Sequence, residues 1–255
     1  MLEMDVGQLI DKSVAKYKER IALKMWDKAI TYTELGEKIN RFANVLLQFG
    51  LKKGDRLVIL MWNAMEYLFA DYGCAKVGMV KVPLNHMLAK GDVDFRIGDS
   101  EAVAAVVDEY FLPWVLELKP KYPKLQEIIC ITSYPERLPS GIHDFTKLLN
   151  QASPESPEVD VGNEDLLALM YTGGTTGISK GVMHTHKSFI SVVYSEIVEW
   201  GIDFDDVALV MAPLPHATGF MVPPSLLRGG KVIITKGFDP PEMCQLIQEE
   251  KVTWT

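Results

Sequence analysis

The sequence predicts an α/β fold, mostly parallel sheets with helices on both faces. Two observations lead there. Short apolar runs alternate with segments of helical period along the whole chain, and strands separated by helices pair in parallel and need cover on both sides. Runs such as RLVILMW, VAAVVD and EIICIT are also nearly continuous in apolar residues, as strands buried on two faces are.

The elements follow in order. Val6, Leu9, Ile10, Val14 and Tyr17 recur at three and four residues, which predicts an amphipathic opening helix. IALKMW and AITY flank Asp27 and Lys28 as a hairpin. Thr33 is the expected N-cap of a helix carrying Leu35, Ile39, Phe42, Leu46 and Phe49, which Gly50 stops. RLVILMW is a buried strand, followed by a helix from about Asn63 to Lys76. VKVPLN, VAAVVD and EIICIT are further buried strands with helical stretches between them. SPESPEVD, Ser153 to Asp160, has two prolines and no apolar period, so it is the expected linker between a first α/β subdomain, 1–152, and the start of a second, 161–255. LLALMYT and GVMHTH are strands joined by a Gly/Thr loop, with a helix from about Lys187 to Glu199 behind them. VALVMA and KVIIT are strands, and Asp239-Pro240-Pro241-Glu242 opens a last helix. KVTWT reads as the first residues of another strand, so the chain is expected to be cut from a longer protein.

Composition excludes several function classes. Hydrophobic residues make up 48% and charged residues 24% of the 255, with a net charge of −8. An acidic chain without a Lys/Arg cluster is a poor partner for nucleic acid. Cys74, Cys130 and Cys244 form neither a disulfide framework nor a CxxC metal pair, so a cytoplasmic setting is expected. No apolar run approaches the roughly 18 residues of a transmembrane helix, and the acidic start MLEMDVGQLIDKS is not a signal peptide.

The chemistry is concentrated in Leu166–His186, where an apolar strand runs into Thr172-Gly173-Gly174-Thr175-Thr176-Gly177-Ile178-Ser179-Lys180-Gly181. Glycines let backbone N–H groups approach an anion. Thr172, Thr175, Thr176 and Ser179 add hydroxyls, and Lys180 adds a positive charge. That set suits a polyphosphate. The loop is neither a Walker A sequence nor a dinucleotide GxGxxG. A hydroxyl-rich hairpin without a ligand has a similar composition, although the lysine and four hydroxyls so close behind a buried strand favour the phosphate reading.

YTGGTTGISKG resembles the phosphate loop of the adenylate-forming superfamily, which includes acyl-CoA synthetases, aryl-CoA ligases, luciferases and peptide-synthetase adenylation domains. The resemblance continues through Ala29–Asn85 and through MAPLPHATGF, Met211–Phe220. Two positions depart from the usual pattern, Ser179 where proline is commoner and Gly173 where serine is commoner. The resemblance implies an incomplete large N-terminal domain of an adenylate-forming enzyme. It implies activation of a carboxylic acid by ATP to acyl-AMP, then thioester formation with coenzyme A. Fatty or aryl acids fit the overall likeness better than acetate or amino acids.

By the same resemblance, Thr172, Gly173, Gly174, Thr175, Thr176 and Gly177 wrap the β- and γ-phosphates. Ser179 contributes its hydroxyl, Lys180 counters the charge, and Thr175 touches Mg2+. His216 stands at the carboxylate and acyl tunnel, as a catalytic and substrate residue, or is a half-buried histidine satisfied by a carbonyl. Thr218, Gly219 and Phe220 line the tunnel, or are plain loop and helix-start residues. His184 and His186 alternate along the strand and invite a metal reading with His216, but no cysteine or carboxylate completes such a set. Trp62 and Trp200 read as core, and Glu249-Glu250 as a solvated helix face. The magnesium glutamate, the ribose aspartate and the adenylation lysine of the family are expected beyond Thr255, so the chain alone is expected to be inactive. The edge that KVTWT leaves open is expected to make the chain alone poorly soluble, or to associate copies through it as a homo-oligomer. A nucleotide-binding module without ligase chemistry, or an adenylating enzyme with another acceptor, are the alternatives.

Overall fold

Asp5 caps the first helix: its carboxylate accepts from the Gln8 N–H at 3.1 Å, and that helix, α1 (Val6–Tyr17), buries the predicted Val6, Leu9, Ile10 and Tyr17. The computed structural model describes residues 3–173 and 179–255. After α1 come β1 (Ile21–Met25), β2 (Lys28–Thr31), α2 (Tyr32–Gln48), β3 (Arg56–Leu60), α3 (Met65–Lys76) and β4 (Val80–Leu84). Then follow α4 (Lys90–Asp99), β5 (Ala104–Asp108), α5 (Leu112–Leu118), β6 (Glu127–Ile131), β7 (His143–Asp144) and α6 (Phe145–Gln151). The rest is β8 (Leu166–Tyr171), β9 (Gly181–Thr185), α7 (His186–Trp200), β10 (Val207–Val210), α8 (Gly219–Arg228), β11 (Lys231–Ile234) and α9 (Pro240–Glu250).

The cap of α2 is Thr31, not Thr33. Thr31 Oγ1 accepts from the Glu34 N–H at 3.2 Å, while the Glu34 carboxylate accepts from the Thr31 N–H at 2.7 Å. Only Thr31 has a glutamate three residues on, so only it can close this reciprocal box, which stabilises by about 1 kcal/mol.

Among the described residues seven strands form one sheet in the order β7-β6-β5-β3-β4-β8-β9, and four form another in the order β10-β11-β1-β2. Pairing is parallel except in the hairpins β1–β2 and β8–β9. The α/β class with mostly parallel sheets therefore holds. In β3 the side chains alternate between two apolar cores: Leu57 and Ile59 join one, Val58 and Leu60 the other. The second core is completed by α4 and α5 through Val93, Ile97 and Val115. The first gathers α1, α2 and α3 with the inner face of the four-stranded sheet through Leu23, Val210 and Val232.

The expected division at Ser153–Asp160 does not separate the sheets. β8 and β9 complete the sheet of the first half, and β1 and β2 complete that of the second. Pairing follows open strand edges, and β4 offers its edge to β8 rather than to a strand nearer in sequence. The segment is irregular, as expected, yet it is strapped to α2. Asn40 donates to the Pro154 carbonyl at 2.8 Å, and Asn44 to those of Ser153 and Glu155 at 2.9 and 2.8 Å. Trp254 makes a single parallel bridge to Ala208, so KVTWT does run beside β10.

The N-terminal elements dock onto α8 and β11. Tyr32 donates from its hydroxyl to the carbonyl of Gly230 at 2.7 Å, and Arg20 to that of Gly229 at 2.8 Å. Gly229 sits at φ +85°, and a Cβ there would lie 2.6 Å from the Tyr17 ring; a side chain is barred by both backbone and space. Glu250 is not on a solvated face. It accepts from Lys231 at 2.7 Å and also pairs with Lys24, tying α9 to β11 and β1, and these lysines lower its pKa. Trp200 is not core either: it is 48% exposed and faces Trp254.

His186 belongs to α7 rather than to a strand, because Thr185 caps the helix by accepting from the Ser188 N–H at 3.1 Å. The imidazole is fully buried, and its Nδ1 accepts from the Val6 N–H at 3.0 Å. Burial, with the Lys81 ammonium nearby, pulls its pKa down to about 4. The folded histidine therefore stays neutral where the unfolded one, near 6.5, takes a proton. Stability should fall as pH drops from about 6.5 to about 4, by roughly 3 kcal/mol from this group. Denaturation across that range on wild type and His186→Asn checks it: the variant should be less stable at pH 7.5 but lose less on acidification.

Candidate functional site

Strand β8 delivers the loop and β9 takes it away. Tyr171 is paired with Gly181 across the hairpin, and the Thr172 N–H donates to the Lys180 carbonyl at 3.0 Å. Ser179 Oγ closes the mouth by donating to the Thr172 carbonyl at 2.5 Å. Thr172, Gly173 and Lys180 are exposed, with Ser179 half-buried between them. Gly174, Thr175, Thr176 and Gly177, including the proposed magnesium ligand, lie outside the described residues. At Gly173 a Cβ would meet nothing within 4 Å among the described residues, so no clash there calls for glycine.

His216 reaches the same place by another route. Between β10 and α8 the chain makes a wide turn, Leu214–Thr218, in which His216 leaves helical angles for φ −127°, ψ −156°. Distorted turns of this kind recur at functional sites. Asn63, buried at the foot of α3, holds the turn by donating to the Ala212 carbonyl and accepting from the Leu214 N–H, both at 2.9 Å. Gly219 must lack a side chain, since a Cβ would lie 2.6 Å from the Leu214 carbonyl oxygen.

Thr172, Gly173 and His216 open onto one cavity of about 430 Å³. Leu88, Val182 and Phe220 give it apolar walls, and Arg96 gives it a cation. His216 and Gly219 also border a narrow cleft above Lys81, whose ammonium pairs with Asp71 and lies 4.9 Å from the Phe189 ring centroid. Thr218 is not part of this. It lines a separate apolar cavity of about 230 Å³ with Leu209, Met221 and Trp254. Of the expected residues, then, the fold brings His216, Thr172 and Gly173 together, keeps Ser179 and Lys180 at the loop's exit, and turns Thr218 elsewhere.

His184 packs edge-on against Phe220 with centroids 5.6 Å apart, and burial lowers its pKa. Among the described residues no group of three or more His, Cys, Asp or Glu could hold a metal, so His184, His186 and His216 form no such site. These residues likewise supply no carboxylate set for magnesium. No helix among them is long and apolar enough to cross a membrane.

Arg96 and the Lys81–Asp71 pair were not among the residues the sequence picked out. Arg96 stands in α4 among Asp92, Asp94 and Asp99, where a solvated face is the natural reading. Its burial follows only from α4 lying against Tyr171: the Tyr171 hydroxyl donates to Asp99 at 2.6 Å, and the Arg96 guanidinium lies 5.5 Å from that ring's centroid.

Known proteins share this architecture. Feruloyl-CoA synthase of Amycolatopsis is 34% identical over 236 residues, covering 91% of this chain and 44% of that protein. Long-chain-fatty-acid–CoA ligase FadD13 of Mycobacterium tuberculosis is 33% identical over 229 residues, 89% of this chain and 44% of the ligase. The chain thus spans about half the length of the curated relatives it matches. Among solved structures, the inhibitor-bound N-terminal domain of FACL13 from Mycobacterium tuberculosis superposes with a TM-score of 0.90 at 30% identity, covering 98% of this chain and 62% of that one. The anthranilate CoA ligase AuaEII, at 21% identity and a TM-score of 0.91, shares the fold. The model of the AMP-binding enzyme family matches residues 10–255, and the chain belongs to that family.

Proposed function

We propose that this chain forms the ATP- and acid-binding part of a ligase that activates a fatty or aryl carboxylic acid as its acyl-adenylate and passes it to coenzyme A. The observation that carries this reading is the shared cavity: the phosphate-loop residues Thr172 and Gly173 and the turn residue His216 face one space with apolar walls. The relatives support the class of acid, one being named for feruloyl-CoA and another for long-chain fatty acids.

In this reading a carboxylate oxygen attacks the α-phosphorus of ATP, the α–β phosphoanhydride bond breaks, and pyrophosphate leaves. A thiol then attacks the acyl carbon and AMP departs. Positioning and charge stabilisation supply most of the catalysis at phosphorus. Thr172, Gly173 and the loop behind them hold the polyphosphate, and Lys180 faces its charge. His216 borders the acid's carboxylate, and Leu88, Val182 and Phe220 pack against its apolar body. A magnesium ion bound with the nucleotide would neutralise part of the phosphate charge.

His216→Ala tests the reading in the full-length polypeptide that contains this chain. The acid's KM or kcat should change at least 10-fold, while KM for ATP changes less than 3-fold, as an interaction realised at the reacting carboxylate predicts. Because His216 is exposed, stability should move by no more than about 0.5 kcal/mol. A variant that alters only thermal stability would assign His216 to packing.

A further inference from the structure

We propose that Arg96 is a direct ligand of the ATP polyphosphate, and of the pyrophosphate that leaves, acting beside the loop from a helix outside it. This deepens the reading above and rests on it.

Four observations carry the assignment. Arg96 is only 6% exposed, yet it opens onto the cavity that Thr172, Gly173 and His216 share. Its guanidinium has five N–H donors, but among the described residues it makes one long hydrogen bond, to Ser179 Oγ at 3.4 Å, and Nε has no partner. Of the carboxylates on α4, Asp99 accepts from the Tyr171 hydroxyl at 2.6 Å, and Asp92 attracts Arg96 without hydrogen-bonding to it. Finally, the two residues it touches, Tyr171 and Ser179, stand at the entry and exit of the loop.

A cation withdrawn from water without an anion is costly, and burial does lower the Arg96 pKa. The expense is removed when an anion arrives. A planar guanidinium clasps two phosphate oxygens at once, which neither Lys180 nor the loop's hydroxyls can do. A cation–π contact with the Tyr171 ring, 5.5 Å from the guanidinium to the centroid, favours one placement of the fork and lessens the side-chain entropy lost on binding. The acid's carboxylate is the competing anion, but Arg96 sits against the residues that frame the loop.

Calorimetric titration of the full-length polypeptide that contains this chain, with inorganic pyrophosphate and separately with a fatty or aryl acid, decides the matter. Wild type, Arg96→Met, Arg96→Lys and Lys180→Ala are compared. Arg96→Met should weaken pyrophosphate binding about 10- to 100-fold, as loss of two charge-assisted hydrogen bonds does. Arg96→Lys should recover only part, because the charge returns without the fork. The thermal midpoint of Arg96→Met without ligand should be unchanged or higher, which a merely structural arginine would not allow. Should Arg96→Met fail to fold, Arg96→Lys alone decides, a wild-type affinity being adverse.

Wild-type pyrophosphate affinity in Arg96→Met, alongside a loss in Lys180→Ala, would overturn the role of Arg96 and leave the loop assignment standing. Weakened acid binding with intact pyrophosphate binding would also overturn it, moving Arg96 to the acid. If the wild-type polypeptide binds no pyrophosphate, both the loop assignment and this inference fall.

Discussion

Replacing Lys81 by methionine should destabilise the chain by about 3–5 kcal/mol, the loss expected when one partner of a buried ion pair is removed and the other remains. Lys81 and Asp71 are both about 5% exposed in their side chains and bond directly. Lys81 comes from the all-buried strand β4 and Asp71 from α3. Methionine fills most of the lysine stem's volume, so the deficit comes from an uncompensated carboxylate rather than from a void. Such a loss is a large share of the 5–15 kcal/mol that a typical domain has in total. Asp71→Asn should cost a comparable amount, while Lys81→Met combined with Asp71→Leu should recover most of it. Urea denaturation of the four proteins gives the coupling energy directly. If Lys81→Met costs less than about 1 kcal/mol, water reaches Asp71 and the pair is not sealed as described. The charge pair lies just beneath the cleft bordered by His216 and Gly219, so its loss should loosen that turn as well.

Lys180→Ala should lower ATP use by roughly 10- to 1,000-fold in the full-length polypeptide, the range for a preorganised group facing developing charge. Lys180 stands at the exit of the loop, where its backbone carbonyl is held by the Thr172 N–H at 3.0 Å. The anchor is thus a main-chain contact, and alanine keeps it. Its side chain is exposed and makes no ion pair among the described residues, so folding should be unaffected. Circular dichroism and the thermal midpoint check that separation, and acid-dependent ATP–pyrophosphate exchange measures the loss. Unchanged exchange kinetics in a folded variant would remove Lys180 from the site.

How far the site could be read in advance depended on whether its parts are local. The loop Thr172–Gly181 is local: strand, glycines, hydroxyls and lysine are consecutive, and the hairpin β8–β9 forms around it as expected. His216 was legible through its own motif, but the amide of Asn63 that fixes its turn lies about 150 residues away, too far for any periodicity to register. Lys81 sits within a strand run and Asp71 on the preceding helix, only ten positions apart. Yet nothing in either segment says that they meet. Thr218 faces another cavity because a turn that departs from helical angles redirects successive side chains, and neighbours in sequence part company there. Buried parallel strands were easy to recognise and their partners were not. An apolar run announces burial, whereas the edge it joins is settled by packing across the whole chain.

The place of β1 between β2 and β11 has a consequence for how the molecule is made. Leu23 pairs with Val232, so roughly 200 residues must leave the ribosome between one strand and its partner. At about 5–20 residues per second that is on the order of 10–40 s, far longer than the microseconds in which a hairpin closes. During that interval the β1–β2 ribbon shows a bare edge with Ala22 and Leu23 uncovered, a surface prone to pair with strangers. The nascent chain should therefore be a chaperone client until β10 and β11 emerge. A ribosome-stalled series should show it, with chaperone crosslinks to the first 31 residues that persist at a stall near residue 200 and vanish once residue 234 is clear of the exit tunnel.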